Sequence, residues 1–358
     1  MSDMLKITSS IHDYSIHFEK DLSFLTALLK EEDAIFIVDK NVAGLYATVF
    51  AGVAGQNNMV LLDATEDRKT LATAEEVYDH LLALKPTKKT KIISVGGGIT
   101  QDVSGFVAST FYRGLNWVYV PTTLLAQADS CMGGKTSLNY RSYKNIIGTF
   151  YPPHLIYIAP SFTDTLGDED FYSGMGEIAK LHVMGGMGTL NLLHEKLPQV
   201  ADREISVILE LIRSSLNIKW SYMENDEFDQ GKRNMLNYGH CFGHAIETAV
   251  HYRIPHGQAV VLGMILANRV ALANGYISEG LNNKLDALFL SVAKSDRGML
   301  NSIDDQVIIN AYEQDKKRVG NGLPLIMLNE QFEFFKITDL TTDEAANTLR
   351  YFKLTYCS

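Results

Sequence analysis

The sequence has few cysteines, no excess of positive charge and no long apolar run. Its three cysteines, Cys131, Cys241 and Cys357, are odd in number and lack paired spacing, so no disulfide framework is predicted. Lys and Arg number 32 against 42 Asp and Glu, and the formal charge of −10 argues against generic binding to nucleic acid or to anionic membranes. We find no apolar stretch approaching the roughly 18 residues of a membrane span, and no signal-peptide pattern at the N-terminus. These absences predict a cytoplasmic protein that binds neither nucleic acid nor membrane.

The sequence does contain the material for a large core, since 46% of its residues are apolar and 21% are charged. Its 358 residues predict about two domains of roughly 150 residues each. The first half alternates short runs of β-branched and aromatic residues with helical patterns, which is typical of an α/β layer with a parallel sheet. The predicted strands are YSIHFEK, AIFIVDK, NMVLLDA, KIISVGGG, WVYVPTT and LIYIAPS.

The second half has a different pattern, in which long segments are apolar at helical spacing. The clearest of these segments are residues 203–226, 258–275 and 279–294. We therefore predict an α/β protein with two domains. A Rossmann-like parallel-sheet domain covers residues 1–160, and a mostly α-helical domain covers residues 161–358.

A glycine-rich turn follows one of the predicted strands. In KIISVGGGITQDVSGFVAS, the strand ends at Gly96, Gly97 and Gly98, and we expect a helix to begin near Asp102. Glycines let the backbone approach a ligand closely, and the N-terminus of a helix favours a pyrophosphate. The pattern is not G-x-G-x-x-G, so a dinucleotide site and a simple tight turn are both open on this motif alone.

A second motif combines charged side chains with small and apolar ones. The stretch from residue 121 to residue 153 contains Asp129, Lys135, Lys144 and Asn145 among glycines and apolar residues. Two ammonium groups near Gly-Gly suit a phosphate-bearing substrate. The alternative for any one lysine is a solvated surface position, but that explains the whole cluster less well.

A carboxylate lies in an apolar helical segment of the second half. In GMGEIAKLHVMGG, Glu177 and Lys180 are three residues apart and would share a helix face. An exposed ion pair of this kind contributes little to stability. Because Glu177 is surrounded by Gly, Met, Ile and Ala, we expect a core position, where a metal would be a suitable partner.

Four of the ten histidines lie between residues 236 and 260. On a helix starting near Asn237, His240 and His244 would share one face, and His256 follows in a predicted loop. Two imidazoles and one carboxylate with an open position make a catalytic zinc arrangement. The spacing leaves open which two histidines bind, although His251 has the surroundings of a surface residue.

Taken together, these motifs resemble the sugar-phosphate cyclase family, and within it the 3-dehydroquinate synthases. The matching motifs run in order along nearly the whole chain: VDKN, GGGITQDVSGFVAS, YRG, PTTLLAQADSCMGGKTSLN, YKNIIGTFYPP, GEIAK, NDEFDQGKRNMLNYGHCFGHAIE, HGQAV and DKKRVGNG. The resemblance implies conversion of 3-deoxy-arabino-heptulosonate 7-phosphate to 3-dehydroquinate and phosphate. In that family, the cycle is oxidation by NAD, phosphate elimination, reduction, ring opening and intramolecular aldol closure.

The resemblance also implies roles for individual residues. The zinc (or cobalt) ligands would be Glu177, His240 and His256. The NAD-binding residues would be Asp39, Asn41, Glu66, Lys69, Gly97, Gly98, Asp102, Thr122, Thr123, Asp129, Lys144 and Thr165. The substrate would contact Asp129, Lys135, Lys144, Asn145, Lys180, Lys219, Arg233, Asn237, His244 and either Lys316 or Lys317. Of these, Lys135, Asn145, Lys180, Lys219 and His244 would be catalytic. In a homodimer, Arg113 would reach the phosphate pocket of the neighbouring subunit.

Several positions depart from the commoner family pattern, which suggests a divergent branch. GGGITQD stands for GGGVIGD, YKN for GKN and HGQ for HGE. A related cyclase acting on sedoheptulose 7-phosphate is therefore one alternative, although Arg233 and Asn237 favour a substrate with a carboxylate. A metal-dependent polyol dehydrogenase of the glycerol dehydrogenase type is another, but it needs no phosphate-binding lysines. The third is a non-catalytic binding module.

Overall fold

A computed structural model of the chain describes residues 4–54, 58–141, 143–314 and 322–357, without the side chains of 52–54. The two alternatives Lys316 and Lys317 lie outside the described residues. The chain divides into two compact units, Met1–Leu166 and Gly167–Ser358.

The first unit is built on a parallel sheet. Its strands are β1 (Met4–Ile7), β2 (Tyr14–Phe18), β3 (Ala34–Asp39), β4 (Met59–Leu62), β5 (Lys91–Gly96), β6 (Trp117–Pro121), β7 (Lys135–Tyr140), β8 (Tyr143–Phe150) and β9 (Leu155–Ile158). Among the described residues, seven of them form one sheet in the order β1-β2-β9-β6-β5-β3-β4, and β7 and β8 form a separate hairpin. Only β1 runs antiparallel to its neighbour in the described part of this sheet. All six predicted strands are present, as β2, β3, β4, β5, β6 and β9, whereas the prediction did not include β1 or the hairpin.

The order of the strands predicts a ligand site at the carboxyl ends of two central strands. The helices of the unit are α1 (Ser23–Leu28), α2 (Lys40–Leu45), α3 (Ala47–Ala54), α4 (Leu71–Leu84) and α5 (Gly98–Thr110). The chain places β4 on one side of β3 and then β5, β6 and β9 on the other. In open α/β sheets, ligands bind at the carboxyl ends of the strands at such a reversal. Here these are the ends of β3 and β5.

The second unit is mostly helical, as predicted. Its elements are α6 (Asp168–Met184), α7 (Met187–Ala201), α8 (Ile205–Met223), α9 (His240–Ala249), α10 (His256–Ala273), α11 (Glu279–Val292), α12 (Asp305–Gln314), β10 (Leu323–Leu328), β11 (Phe334–Leu340) and α13 (Thr342–Tyr356). The antiparallel hairpin of β10 and β11 was not predicted. Every residue of β10 is buried, so its continuous apolar run lacks the alternation that identifies a half-exposed strand.

Helix α10 is at the centre of the second unit and packs against α6, α9, α11 and α13. Its 18 residues, with a mean hydropathy of 1.2, are long and apolar enough to span a membrane. The expectation that the chain has no stretch of this length and hydropathy was therefore wrong for this helix. However, 78% of the segment is buried inside the protein. A helix that is apolar on all sides is expected at the core of a large helical unit, and α10 fits that description.

Candidate metal and cofactor sites

Glu177 on α6 is fully buried, as its apolar surroundings predicted. Its Oε2 atom lies 2.5 Å from the Nζ atom of Lys180, one helical turn further along. Apart from this ion pair, neither Glu177 oxygen receives a well-aligned hydrogen bond within the described part of the chain. A buried carboxylate is costly unless its charge is compensated, so this position is suited to a cation.

Two imidazole groups converge on the same carboxylate. The Nε2 atoms of His240 and His256 lie 3.5 Å and 3.3 Å from the Oε1 atom of Glu177. The Nδ1 atom of His240 is 3.2 Å from the carbonyl oxygen of Tyr238, and the Nδ1 atom of His256 is 3.2 Å from the Oε2 atom of Glu247. Because each Nδ1 atom contacts another group, the Nε2 atoms of both rings are available to an ion bound beside the Oε1 atom of Glu177. Two imidazole nitrogens and one carboxylate oxygen fit a catalytic zinc or cobalt ion.

The electrostatics of this cluster couple the carboxylate to its neighbours. Burial would raise the pKa of Glu177, but the positive charges of Lys180 and His256 outweigh it and hold the pKa well below its usual range. Burial would lower the pKa of His256, but the carboxylates of Glu247 and Glu177 raise it to about 10. Without a metal, Lys180 and His256 thus compensate the charge of Glu177; a bound divalent ion would take over that role, with His256 as a neutral ligand.

His244 lies beside these ligands. The ring nitrogens of His240, His244 and His256 include a set of donor atoms within 4.8 Å of one another. The ring centre of His244 is 5.4 Å from that of His240 and 5.8 Å from that of His256. These three imidazoles could together hold a metal ion, so His244 belongs to the same candidate site, whereas His251 is exposed, as its neighbours indicated.

The helix that carries His240 begins three residues later than predicted. Residues Lys232–Asn237 form a 3₁₀ turn, and α9 begins at His240. The physical reason is Gly239, whose φ of 80° is left-handed and interrupts the helical path. His256, in turn, is the first residue of α10 and not part of a loop.

Close glycine contacts bring the ligand helices together. A Cβ atom built on Gly176 would collide with the carbonyl oxygen of Gly257 and lie 2.6 Å from its carbonyl carbon. Gly176 precedes Glu177 on α6, and Gly257 follows His256 on α10. The absence of side chains at this crossing therefore allows Glu177 and His256 to meet.

The unusual HGQ sequence has a local explanation in the packing. The Gln258 side chain is 1% exposed and donates to the carbonyl oxygens of Tyr172 and Val292, at 2.7 Å and 3.0 Å. Its Oε1 atom accepts from the backbone N–H groups of Lys294 and Ser295, at 2.6 Å and 3.1 Å. An amide satisfies all four backbone groups, whereas a carboxylate has no hydrogen to donate. Gln258 therefore links α10 to α6 and to the end of α11.

In the first unit, some of the predicted cofactor residues, among them Asp39 and Gly97, lie at the carboxyl ends of β3 and β5, where the strand order reverses. Asp39, at the end of β3, accepts hydrogen bonds from the backbone N–H groups of Asn41 and Val42, and burial raises its pKa. Gly97 follows β5 and caps α5, which starts at Gly98 and not near Asp102. A Cβ atom on Gly97 would lie 2.9 Å from the Thr123 side chain. The helix therefore begins four residues earlier than predicted, directly after the strand and its glycines.

Other predicted residues form a polar network against the β7–β8 hairpin. Lys69 is buried and contacts Asp102 at 2.5 Å and the Oδ1 atom of Asn145 at 2.7 Å. The Ser137 hydroxyl donates to Asp102 at 3.0 Å and contacts Asn145 at 2.9 Å. Burial raises the pKa of Asp102, although Lys69 and Ser137 oppose that shift.

The same network continues to Glu66. Lys144 lies 3.2 Å from the Oε1 atom of Glu66, and the Asn139 side chain donates to that atom at 2.9 Å. Asn139 also accepts from the backbone N–H of Asn145, which has a left-handed φ of 52°. Sequence reasoning missed Ser137 and Asn139. Their alternate positions in KTSLNY were a possible signal, because residues two apart share one face of a strand.

The structure does not bring every predicted residue into these clusters. The Thr165 hydroxyl contacts Tyr46 at 3.1 Å, and Thr122 is buried beside Gly96. Arg113 and Lys135 are exposed, and Asp129 lies in a π-helical turn, Ala126–Ser130.

The predicted substrate residues of the second unit lie on neighbouring elements. Lys219 is buried on α8, which packs against α6 and against the 3₁₀ turn that carries Arg233 and Asn237. Arg233 is 4% exposed and donates to the carbonyl oxygen of Glu227. Asn237 donates to the carbonyl oxygen of Asn234 at 2.9 Å. The unit therefore places a buried lysine on the helix next to α6 and a buried arginine on the turn that packs against that helix.

Comparison with known proteins covers both units. Residues 59–173 match the family model described as 3-dehydroquinate synthase N-terminal, and residues 174–318 match the one described as 3-dehydroquinate synthase C-terminal. A 3-dehydroquinate synthase of Streptococcus equi subsp. equi is 33% identical over 334 residues, which is 91% of this chain and 92% of the relative.

Two solved structures show how widely the fold is shared. A 2-epi-5-epi-valiolone synthase from Streptomyces hygroscopicus subsp. jinggangensis, with NAD⁺ and Zn²⁺ bound, has a TM-score of 0.83 at 24% identity and 97% coverage of both chains. A glycerol dehydrogenase from Schizosaccharomyces pombe has a TM-score of 0.60 at 16% identity, with 89% of this chain and 82% of the other covered. At these identities the likeness concerns the fold alone.

Proposed function

The chain belongs to the 3-dehydroquinate synthase family, and we propose that it converts 3-deoxy-arabino-heptulosonate 7-phosphate to 3-dehydroquinate and phosphate. The observation that carries the proposal is the buried Glu177 carboxylate, which has the Nε2 atoms of His240 and His256 within 3.5 Å. This donor set fits the metal that the reaction requires, and it lies in a chain that matches the family in both halves.

The proposed cofactors are NAD and a zinc or cobalt ion. When bound, NAD supplies reversible hydride transfer and the metal supplies Lewis-acid polarisation of a substrate oxygen. Glu177, His240 and His256 would hold the ion. The ends of β3 and β5, with Asp39 and Gly97, would hold the dinucleotide, which follows the rule for open α/β sheets.

The chain's cations would bind the charged ends of the substrate. Lys219 and Arg233 are buried, so each gains from an anionic partner more than an exposed side chain would. The fork of Arg233 suits the substrate carboxylate, and the ammonium groups of Lys135 and Lys144 suit its phosphate. His244 and Lys180 would contact the reacting part of the substrate, because both lie beside the metal ligands.

Further assignments belong to the same proposal. Residues 1–160 would form the NAD-binding domain, and residues 161–358 would bind metal and substrate. The protein would be a cytoplasmic homodimer in which the exposed Arg113 reaches the phosphate pocket of the neighbouring subunit. Size-exclusion chromatography with light scattering tests the dimer, and an activity assay of mixed Arg113→Ala and His256→Ala subunits tests the shared site.

One experiment tests the function. The full chain is incubated with 3-deoxy-arabino-heptulosonate 7-phosphate, NAD and Zn²⁺, and phosphate release and the cyclic product are measured. We expect stoichiometric phosphate and product without net NADH. A parallel reaction with sedoheptulose 7-phosphate tests the alternative cyclase, which the departures at GGGITQD and YKN favour. Net NADH from a simple polyol, with no phosphate release, would refute the proposal in favour of a dehydrogenase.

A further inference from the structure

Glu247 contacts the proposed metal ligand His256 at the ring nitrogen that does not face Glu177. We propose that Glu247 is a positioning residue whose carboxylate holds the His256 ring, so that its Nε2 atom faces Glu177. The inference depends on the metal-dependent function proposed above and adds a residue that sequence reasoning did not single out.

The His256 ring lies between two carboxylates. Its Nδ1 atom is 3.2 Å from the Oε2 atom of Glu247, and its Nε2 atom is 3.3 Å from the Oε1 atom of Glu177. Glu247 is only 8% exposed, so its carboxylate is removed from most of the solvent that would compete for it. A hydrogen bond from Nδ1 leaves the lone pair on Nε2, and Nε2 is then the atom that faces the shared donor point.

The helix register explains how Glu247 reaches this position. His240, His244 and Glu247 are at positions i, i+4 and i+7 of α9 and therefore share one face. Helix α10 packs against α9 and begins with His256. One face of α9 thus carries the proposed ligand His240, the proposed substrate contact His244, and Glu247, which would hold the ligand His256 on α10.

His256 needs this support more than the other histidine ligand does. Its side chain is 36% exposed, whereas that of His240 is 12% exposed. The Nδ1 atom of His240 is paired with the carbonyl oxygen of Tyr238, which is neutral. A charged acceptor makes a stronger hydrogen bond and increases the basicity of the other ring nitrogen. Glu247 therefore compensates for the exposed position of His256 at the end of its helix.

The test measures metal affinity directly. Full-length Glu247→Ala, Glu247→Gln and control Glu195→Ala proteins are stripped of metal, and Zn²⁺ and Co²⁺ dissociation constants are determined by chelator competition. Glu195 is an exposed glutamate on α7 of the same unit. We expect Glu247→Ala to weaken metal binding by about 10- to 100-fold, the usual effect of removing such a partner. Glu247→Gln should weaken it less, because its amide oxygen still accepts from Nδ1.

Additional readouts separate positioning from a general structural role. NAD affinities should match those of Glu195→Ala, and the Co²⁺ absorption spectrum of Glu247→Ala should change. Wild-type metal affinity in Glu247→Ala would overturn the inference while leaving the proposed function intact. If Glu247→Ala fails to fold, Glu247→Leu decides, because it fills similar space without an acceptor: wild-type metal affinity in that variant would also overturn the inference. Wild-type protein that binds no metal, or releases no phosphate, would instead refute the proposed function.

Discussion

The glycine crossing of α6 and α10 permits a quantitative test of how the metal site is built. Replacing Gly176 by Ala adds one Cβ atom, which would lie 2.6 Å from the carbonyl carbon of Gly257 and 3.1 Å from its Cα atom. The obstructing atoms belong to a backbone and not to a flexible side chain, so one helix must move. The carbonyl oxygen of Gly257 would be closer still, and ordinary contact begins at 3.4 Å, so the helices must separate locally by about 1 Å.

That displacement has two expected effects. Overpacking typically costs about 1–3 kcal/mol, and the higher helix propensity of Ala returns about 1 kcal/mol. Because backbone atoms obstruct the added Cβ atom, we take the upper end of the overpacking cost and expect Gly176→Ala to lower the free energy of unfolding by about 2 kcal/mol, or the Tm by about 4–8 °C. Because Glu177 and His256 adjoin the crossing, the distance between the Oε1 atom of Glu177 and the Nε2 atom of His256 would change as well. A misplacement of about 1 Å can cost on the order of 100-fold in site function, so we expect Zn²⁺ affinity to fall at least tenfold.

The measurements are thermal unfolding of the metal-free protein and chelator competition for Zn²⁺. The control is Gly188→Ala on α7, where an added Cβ atom meets nothing within 4 Å. This variant should keep its metal affinity, and its stability should be equal or slightly higher, because Ala favours the helix. If Gly176→Ala has the same Tm and the same Zn²⁺ dissociation constant as Gly188→Ala, the argument that close packing sets the ligand distance is wrong.

The remaining predictions concern other parts of the proposed sites. His256→Ala should lose bound zinc and activity, measured by metal analysis and phosphate release, whereas the exposed control His251→Ala should keep both; a metal-loaded, active His256→Ala would refute the ligand assignment. Lys135→Ala should raise KM for the phosphorylated substrate far more than the Kd for NAD, with exposed Lys89→Ala as control; equal weakening of both would contradict a phosphate role. Gln258→Glu should lower the free energy of unfolding by about 3 kcal/mol at neutral pH, because two carbonyls lose their donors and a charge is buried. Urea unfolding should show a smaller loss at acidic pH, where the protonated acid donates one bond; an unchanged midpoint at neutral pH would show that these bonds are unimportant.

Much of the fold was predictable because the information is local. Continuous apolar runs such as AIFIV and KIISV are buried on both faces of a parallel sheet, and they appear as β3 and β5. The periodic apolar pattern of residues 203–226 likewise appears as α8. The hairpins were missed because β8 is largely exposed and β10 fully buried, so neither has a regular alternation of polar and apolar residues.

The candidate sites were predictable only in part. Glu177, His240, His244 and His256 stand out because charged or coordinating groups among small apolar residues are unusual, and the structure brings them together. Glu247 did not stand out, because its partner His256 lies nine positions away, on the next helix. Its role depends on how α9 packs against α10.

The local sequence was sufficient for six strands of the parallel sheet, the helical character of the second half, the glycine turn after β5 and a set of candidate ligands, since each depends on neighbouring residues. It was not sufficient for the atoms that support those ligands. The Glu247–His256 contact and the Gly176–Gly257 crossing arise when separate helices pack together. Interatomic distances between separate helices depend on side-chain volume at the crossing points, and such distances decide which donor atoms can share one metal ion.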